Sequence, residues 1–214
     1  MQINFLGHAS FKIKTKTATV VTDPFPDSIG IKFPKTTAEI VSVSHTQHDD
    51  HDNIDAVDGV KKVLSGPGEY EISGVSVLGF PSYHDDKKGE ERGKNTIYVF
   101  EAEGFRIAHL GDLGHRLSEK ELEELGDIDI LMLPVGGVYT IGPKEAAEIV
   151  RNIEPNLILP MHYKMPSLKE EAFGKLETAK PFISELGLPT EETKKLTVSG
   201  LLGDEQKIIL LERS

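Results

Sequence analysis

The sequence predicts an α/β protein in which two sheets pack together and are covered by helices. Two patterns point there. Short strand-like runs separated by turn residues dominate the first half of the 214-residue chain, whereas from Asn95 onward strands alternate with helical segments. A third observation bears on function: ionisable residues recur just past the ends of the apolar strands, where loops can converge on a site while the sheet holds them rigid.

Taken in order, "QINFL", "SFKIKT", "ATVVT", "EIVSV", "KKVL", "GEYEI" and "VSVLGF" read as strands of a sheet built mainly from sequential neighbours. Between "EIVSV" and "NIDAV", which reads as a helix start, lies the polar stretch "SHTQHDDHDN". "HDDKKGEERGKN" reads as an exposed charged loop. "NTIYVFEAEGFRIAHL" is a hairpin whose arms meet at "AEG". The helix "SEKELEEL" follows, with Ser118 and Glu121 at capping-box spacing. Next come a strand "DILML", a helix "GPKEAAEIVRNI" opened by Pro143, and a strand "NLILPM". A further helix is expected from Ser167, with Glu170 as its capping glutamate, before the closing strands "LTVSG" and "QKIILLE". The chain shows no internal repeat and no low-complexity segment.

Length fits one domain over residues 1–214, large enough to bury a core without staples. With no cysteine, a disulfide framework is excluded, and a reducing compartment suits the composition. The start lacks a basic region followed by an apolar run, and no apolar span is long enough to cross a bilayer, so a cytoplasmic protein without a membrane partner is expected. A formal charge of −11 with acids spread along the chain argues against holding a polyanion such as nucleic acid by bulk attraction. A small-molecule substrate is the expected partner; oligomeric state is not legible.

The candidate site residues are Asp23 after "ATVVT", His45 after "EIVSV", His84 after "VSVLGFPSY", Asp112 after "FRIAHLG" and His162 after "NLILPM". "SHTQHDDHDN" adds His48, Asp50 and His51. Imidazole and carboxylate together are the ligand set that borderline divalent metals prefer. Each residue also has a plain alternative: Asp23 before Pro24 could simply begin a turn, and His84 beside Asp85 and Asp86 could be solvated. For His8, a turn role and a site role are both open, as are a supporting and a surface role for His115. His109 lies inside its strand and reads as structural.

"SHTQHDDH", "HLGDLGH" and "LPMHY" resemble the metallo-β-lactamase superfamily, and more closely its branch of bacterial and archaeal hydrolases that includes ascorbate phosphate lactonase. "LGHASF", "GPGEYEI", "RGKNTIYVFE" and "LPVGGVYTI" are similar to that branch too, so the resemblance spans residues 1 to about 165. It implies a four-layer αββα sandwich with a metal site at one edge of the two sheets. Position by position, His48, Asp50 and His51 match the last three ligands of the family's HxHxDH motif. Asp112 matches its bridging aspartate, His84 its middle histidine and His162 its late one, while Asp23 matches an early aspartate that supports the site. The first histidine is out of register: it would fall on Thr46, whereas the histidine present is His45, leaving one extra residue in "HTQH". Either a bulge lets His45 reach the metal, or Gln47 or water takes that position.

Seven candidate donors, His45, His48, Asp50, His51, His84, Asp112 and His162, are too many for one tetrahedral ion and suit two. Zinc is the first expectation for these two divalent ions, and manganese or iron would accept the same donors. The implied chemistry is attack by a metal-bound hydroxide, oriented by Asp50, on a small ester, lactone or phosphoester. A helix start just after Asp50 would favour its ionised form. His8, Asp23, His115 and Tyr163 are expected to support the site or touch substrate. The glycines of "LPVGGVYTIG" would offer backbone N–H groups to an anion. The alternatives are a nuclease of the same fold, against which the acidic balance speaks, and a non-catalytic metal-binding protein that kept the fold, for which the irregular "HTQH" speaks.

Overall fold

The computed structural model describes residues 1–47, 51–203 and 205–214. Among these, the strands begin with β1 (Gln2–Gly7), β2 (Ser10–Lys14), β3 (Thr19–Thr22), β4 (Thr36–Thr37), β5 (Ile40–Val43) and β6 (Val57–Asp58). They continue with β7 (Lys62–Ser65), β8 (Gly68–Ile72), β9 (Val75–Tyr83), β10 (Lys94–Ala102) and β11 (Phe105–His109). The last are β12 (Ile130–Pro134), β13 (Leu157–Met161), β14 (Thr190–Thr193), β15 (Leu196–Thr197) and β16 (Lys207–Leu211). Four helices are interspersed: α1 (Glu119–Leu125), α2 (Pro143–Ile153), α3 (Glu170–Phe173) and α4 (Ala179–Leu186).

Two large sheets result. One has the order β15-β1-β2-β3-β5-β7 and the other β14-β16-β13-β12-β11-β10-β9-β8, while β4 and β6 form a small separate pair. The meander β8 to β11 is antiparallel: tight turns join β8 to β9 and β10 to β11, and a longer loop, 84–93, joins β9 to β10; the turn Glu103–Gly104 places both residues at positive φ, 54° and 84°, as the sequence's "AEG" suggests. β12 and β13 pair in parallel through the α2 crossover.

Alternation along the strands decides what each face covers. Tyr98 and Phe100 of β10 and Ile130 and Met132 of β12 turn inward, where they meet Phe5, Phe11, Ile13 and Val20 of the first sheet. Ile97 and Val99, with Leu131 and Leu133, turn outward under α2 and α4, against Ala146, Ile149, Val150 and Phe182. Covered on both faces, β12 and β13 are apolar throughout. Burying Ile149 and Val150 contributes about 1.5–3 kcal/mol each. α1 starts with the expected capping box between Ser118 and Glu121, and α2 with Pro143 in its first turn. No helix among the described residues is long and apolar enough to cross a membrane.

Two expected helices differ. "NIDAV" forms a single 3-10 turn, Ile54–Ala56, and then enters β6. The Asn53 side chain donates to the Phe25 carbonyl (3.1 Å) instead of capping, and Val57 is buried with Val41 and Val43 on the outer face of the first sheet. The electropositive helix start expected to act on Asp50 is therefore replaced by a three-residue turn. Ser167, at φ 70°, is left-handed and cannot take the extended backbone of an N-cap, so α3 starts after Lys169 and spans four residues.

Candidate metal centre

The strand ends deliver the expected side chains to one place. Asp23 directly follows β3, His84 directly follows β9 and His162 directly follows β13, while His45 lies two residues past β5 and Asp112 three past β11. At the centre is the Asp112 carboxylate. Its Oδ2 lies 3.2 Å from His84 Nε2, 3.4 Å from His51 Nε2, 3.5 Å from His162 Nε2 and 4.0 Å from His45 Nε2. All five residues are buried. Two donor triads can be drawn from the described residues, His45–His84–Asp112 and His8–His51–His162, each with its ligand atoms within 4.8 Å of one another. His48 and Asp50 lie outside the described residues.

Local backbone explains why these side chains converge. His8, Asp23 and His162 have φ of 54°, 40° and 50°, left-handed conformations that turn the chain sharply as it leaves its strand. Such strained residues persist where the surroundings fix them, and here the His162 N–H donates to the His8 carbonyl (2.8 Å), tying the two sheets together across the site. His8 thereby faces inward, its ring centroid 4.2 Å from that of His162 and 5.0 Å from that of His51.

A ring of supporting contacts orients the cluster. Asp23 accepts from the Ser44 N–H and hydroxyl (2.7 Å each), and its Oδ2 lies 3.2 Å from His51 Nδ1, which leaves His51 Nε2 toward Asp112. Asn95, 1% exposed, accepts from the Asp112 N–H (3.0 Å) and donates to the Leu110 carbonyl and the Ser82 hydroxyl. Gly111, at φ 56°, passes so close that a Cβ there would sit 2.4 Å from Asn95 Oδ1. His109 accepts from the Gly111 N–H at Nδ1, so its Nε2 carries the proton donated to the Ala9 carbonyl (2.8 Å). It spans strand and turn, consistent with a structural role.

Electrostatics suits a cation. Burial pushes the His45 imidazole down to about 4, so at neutral pH it is uncharged with a lone pair to give. Burial works to raise the Asp112 carboxyl, but the imidazoles of His162 and His51 outweigh it and hold the group well below its ordinary value. Burial likewise works to raise the Asp23 carboxyl, and the hydrogen bond and charge of His51 overcome it, so the group lies below its ordinary value. Asp112 Oδ1 and His162 Nδ1 are buried with no hydrogen-bond partner among the described residues. A buried carboxylate surrounded by imidazoles, with Asp112 Oδ1 and His162 Nδ1 unsatisfied, fits a divalent ion by donor type.

The remaining expected residues sit further out. His115 accepts from the Tyr83 N–H (3.2 Å) and donates to the Arg116 carbonyl, so it braces the residue before His84 from the protein's outer side. Tyr163 is half-buried and stacks on Phe5 at 6.2 Å; burial pushes its phenol up to about 12, and it is not among the residues lining the cavity described below. Thr46 and Gln47 are exposed, whereas His45 is buried beside Asp112. Gly137 donates its N–H to the Ile141 carbonyl, so that donor is already engaged rather than offered to an anion. Gly136 is there for close approach: a Cβ would lie 2.2 Å from the His162 carbonyl oxygen.

Three contributors were not singled out from the sequence: Asn95, Arg92 and Tyr139. The first two belong to "RGKN", with Arg92 just ahead of β10 and Asn95 its second residue, and the third lies in "LPVGGVYTI", between β12 and α2. A cavity of about 230 Å³ opens over the cluster, floored by His84, Asp112 and His162 and walled by Arg92, Tyr139, Ala172 and Phe173.

Comparison with known proteins agrees with this geometry. The family model described as a beta-lactamase superfamily domain matches residues 2–162. A UPF0173 metal-dependent hydrolase of Thermococcus onnurineus is 29% identical over 239 aligned positions, covering 99% of this chain and 96% of the relative. Another from Methanopyrus kandleri is 30% identical, covering 89% and 95%. Among solved structures, a protein of Thermotoga maritima assigned as a Zn-dependent hydrolase of the metallo-β-lactamase superfamily superposes with a TM-score of 0.80 at 36% identity, covering 98% of this chain and 97% of that one. The chain belongs to the beta-lactamase superfamily and has the metallo-β-lactamase fold.

Proposed function

We propose that this chain is a metal-dependent hydrolase of a small ester, lactone or phosphoester, with two divalent ions, zinc foremost, held around Asp112. The observation that carries the reading is the single carboxylate oxygen of Asp112 with four imidazole nitrogens 3.2–4.0 Å away, drawn from both donor triads: His45 and His84 of its own, and His51 and His162 of the other. Asp112 and the imidazoles around it would hold the ions, and one carboxylate within reach of both triads would supply negative charge to each. When bound, the ions supply Lewis acidity, acidifying a water and polarising the attacked carbonyl or phosphoryl oxygen.

The chain's own residues supply the rest. Asp23 holds His51 in the tautomer that presents Nε2, and Asn95 fixes the Asp112 backbone so that the carboxylate keeps its central position. The floor of the cavity is polar and its walls are largely apolar, so a substrate entering it leaves bulk water behind, which strengthens every charge interaction within. Asp50 is assigned the proton-accepting role by its place in the motif. Because Asp50 is also one of the seven candidate donors, its removal should abolish turnover and lower metal content as well.

Elemental analysis of dialysed protein, followed by a panel of lactones, phosphodiesters and single-stranded RNA, tests the reading. Close to two ions per chain with chelator-sensitive turnover of a lactone or ester is expected. A preparation that takes up no zinc, manganese or iron would refute it; selective RNA cleavage would make the chain a nuclease, and metal without turnover a binding protein.

A further inference from the structure

The loop 85–93, charged in sequence and expected to be a plain exposed loop, is tightly built. Asp85 is buried and accepts four backbone N–H groups from the loop that follows: Lys87 and Gly89 (2.8 Å each), Glu91 (3.0 Å) and Arg92 (2.7 Å). The loop starts directly after His84, so this anchoring fixes Arg92 relative to the metal cluster. The Arg92 guanidinium carbon lies 5.8 Å from the centroid of the Tyr139 ring. Tyr139 is itself fixed, donating its hydroxyl to the Ala172 carbonyl (2.6 Å) and meeting Phe173 edge to face at 6.4 Å.

Arg92 is therefore placed rather than loose, and it is placed at the cavity. Among the described residues that line the cavity it alone carries a fixed positive charge, in a chain of formal charge −11. Its side chain is 33% exposed, so most of it is covered while solvent still reaches it. Glu91 approaches to 3.9 Å but is already paired with Lys87. At about 230 Å³ the cavity is below the ~300–1,000 Å³ of pockets that enclose drug-sized ligands, so its occupant is small.

We propose that Arg92 is the specificity-determining residue of this site: it binds an oxyanion, carboxylate or phosphate, that the substrate carries away from the bond being cleaved. Tyr139 and Phe173 hold the apolar part between that anion and the Asp112 cluster. The substrate class is a small anionic ester or lactone with a short apolar body. This rests on the hydrolase reading, and a planar guanidinium suits it because carboxylate and phosphate both accept two parallel N–H donors.

The test uses the zinc-loaded full chain with Arg92→Gln and Arg92→Lys, each first matched to wild type in circular dichroism and zinc content. Benzoate, phenyl phosphate and neutral benzyl alcohol are titrated while the Arg92 Nε resonance is followed in proton–nitrogen correlation spectra. The anions should shift that resonance and benzyl alcohol should not. Anion affinity should fall about 10-fold or more in Arg92→Gln, with a smaller loss in Arg92→Lys. The tighter of the two anions names the class. In parallel, the ratio of kcat/KM for mono-(para-nitrophenyl) glutarate to that for para-nitrophenyl butyrate should favour the anionic ester and collapse toward unity in Arg92→Gln. An unmoved Arg92 resonance, or equal anion affinity in wild type and Arg92→Gln, overturns the proposal. If neither ester is turned over by wild type, the hydrolase reading loses support while the titration still decides the role of Arg92.

Discussion

Replacing Asn95 by alanine should cost both stability and metal affinity, because this buried amide is the joint between the sheet and the central carboxylate. It makes three hydrogen bonds: from the Asp112 N–H at 3.0 Å, to the Leu110 carbonyl at 2.9 Å and to the Ser82 hydroxyl at 2.8 Å. Alanine supplies none of them. The Ser82 hydroxyl can rotate toward another partner, but the two backbone groups are fixed, and a buried polar group left unpaired costs roughly 1–3 kcal/mol. The expected loss is about 3 kcal/mol, a large share of the ~5–15 kcal/mol that holds a typical domain together. Freed of its backbone anchor, Asp112 should also bind zinc about 10- to 100-fold more weakly. Urea unfolding in chelator measures the first effect without the contribution of bound metal, and competition with a chromophoric chelator measures the second. Ser82→Ala is the control: it removes one of these bonds but leaves the Asp112 N–H anchored, so about 1 kcal/mol and unchanged zinc affinity are expected. If Asn95→Ala matches Ser82→Ala in both measurements, the amide is ordinary core packing and the reasoning fails.

Asp112→Ala should lose more turnover and more metal than His115→Ala, whose loss should be about 10- to 100-fold because it only braces Tyr83 beside His84; metal occupancy and rate for both variants decide the order. His45→Ala should lower metal occupancy sharply while Thr46→Ala leaves it near wild type, since His45 is buried beside Asp112 and Thr46 is exposed; the reverse result would move the ligand register by one residue. Asp85→Ala should open the loop it holds, seen as faster amide exchange at Lys87, Gly89, Glu91 and Arg92 with Val99 and Ile107 unaffected; no change at those four amides would show the loop is held by something else. Burial opposes ionisation of Asp85 but those four N–H groups bring its carboxyl down to about 2. The stabilisation it gives is therefore complete above the ordinary carboxylate range and is lost as pH falls through about 2.

What was legible in the sequence follows from where local chemistry alone decides the structure. The hairpin β10–β11 needs two residues at positive φ and has "EG" there; α1 and α2 carry their own start signals in Ser118, Glu121 and Pro143. "NIDAV" and "PSLKEE" carry similar signals, but tertiary contacts override them: the Asn53 amide goes to the Phe25 carbonyl, and the Lys169 N–H goes to the Ile29 carbonyl. β14, "TEET", shows no apolar face because it is an exposed edge strand. For the site, the histidines and aspartates past strand ends announce themselves by residue type. Asn95, Arg92 and Tyr139 do not, since an amide, a guanidinium and a phenol near polar loops look the same whether they face water or a cavity.

The architecture separates what holds the fold from what holds the site. The inner cluster around Phe5, Phe11, Tyr98 and Phe100 and the outer one around Ile149, Val150 and Phe182 are apolar and include none of the candidate ligands. The site is the opposite: left-handed backbone at His8, Asp23 and His162, desolvated imidazoles, and a carboxylate oxygen with no partner among the described residues are all unfavourable in themselves. Such an arrangement persists because the rigid sheets impose it, through Asn95 on Asp112, Ser44 on Asp23 and the hydrogen bond from His162 to His8. The candidate ligands are therefore held together without a cation, so on the proposed reading the binding energy of a cation would go into affinity rather than into assembling the site. It follows that chelation should leave the secondary structure largely intact, and that weakening a support such as Asn95 should be partly rescued by raising the zinc concentration, whereas loss of Asp112 itself should not.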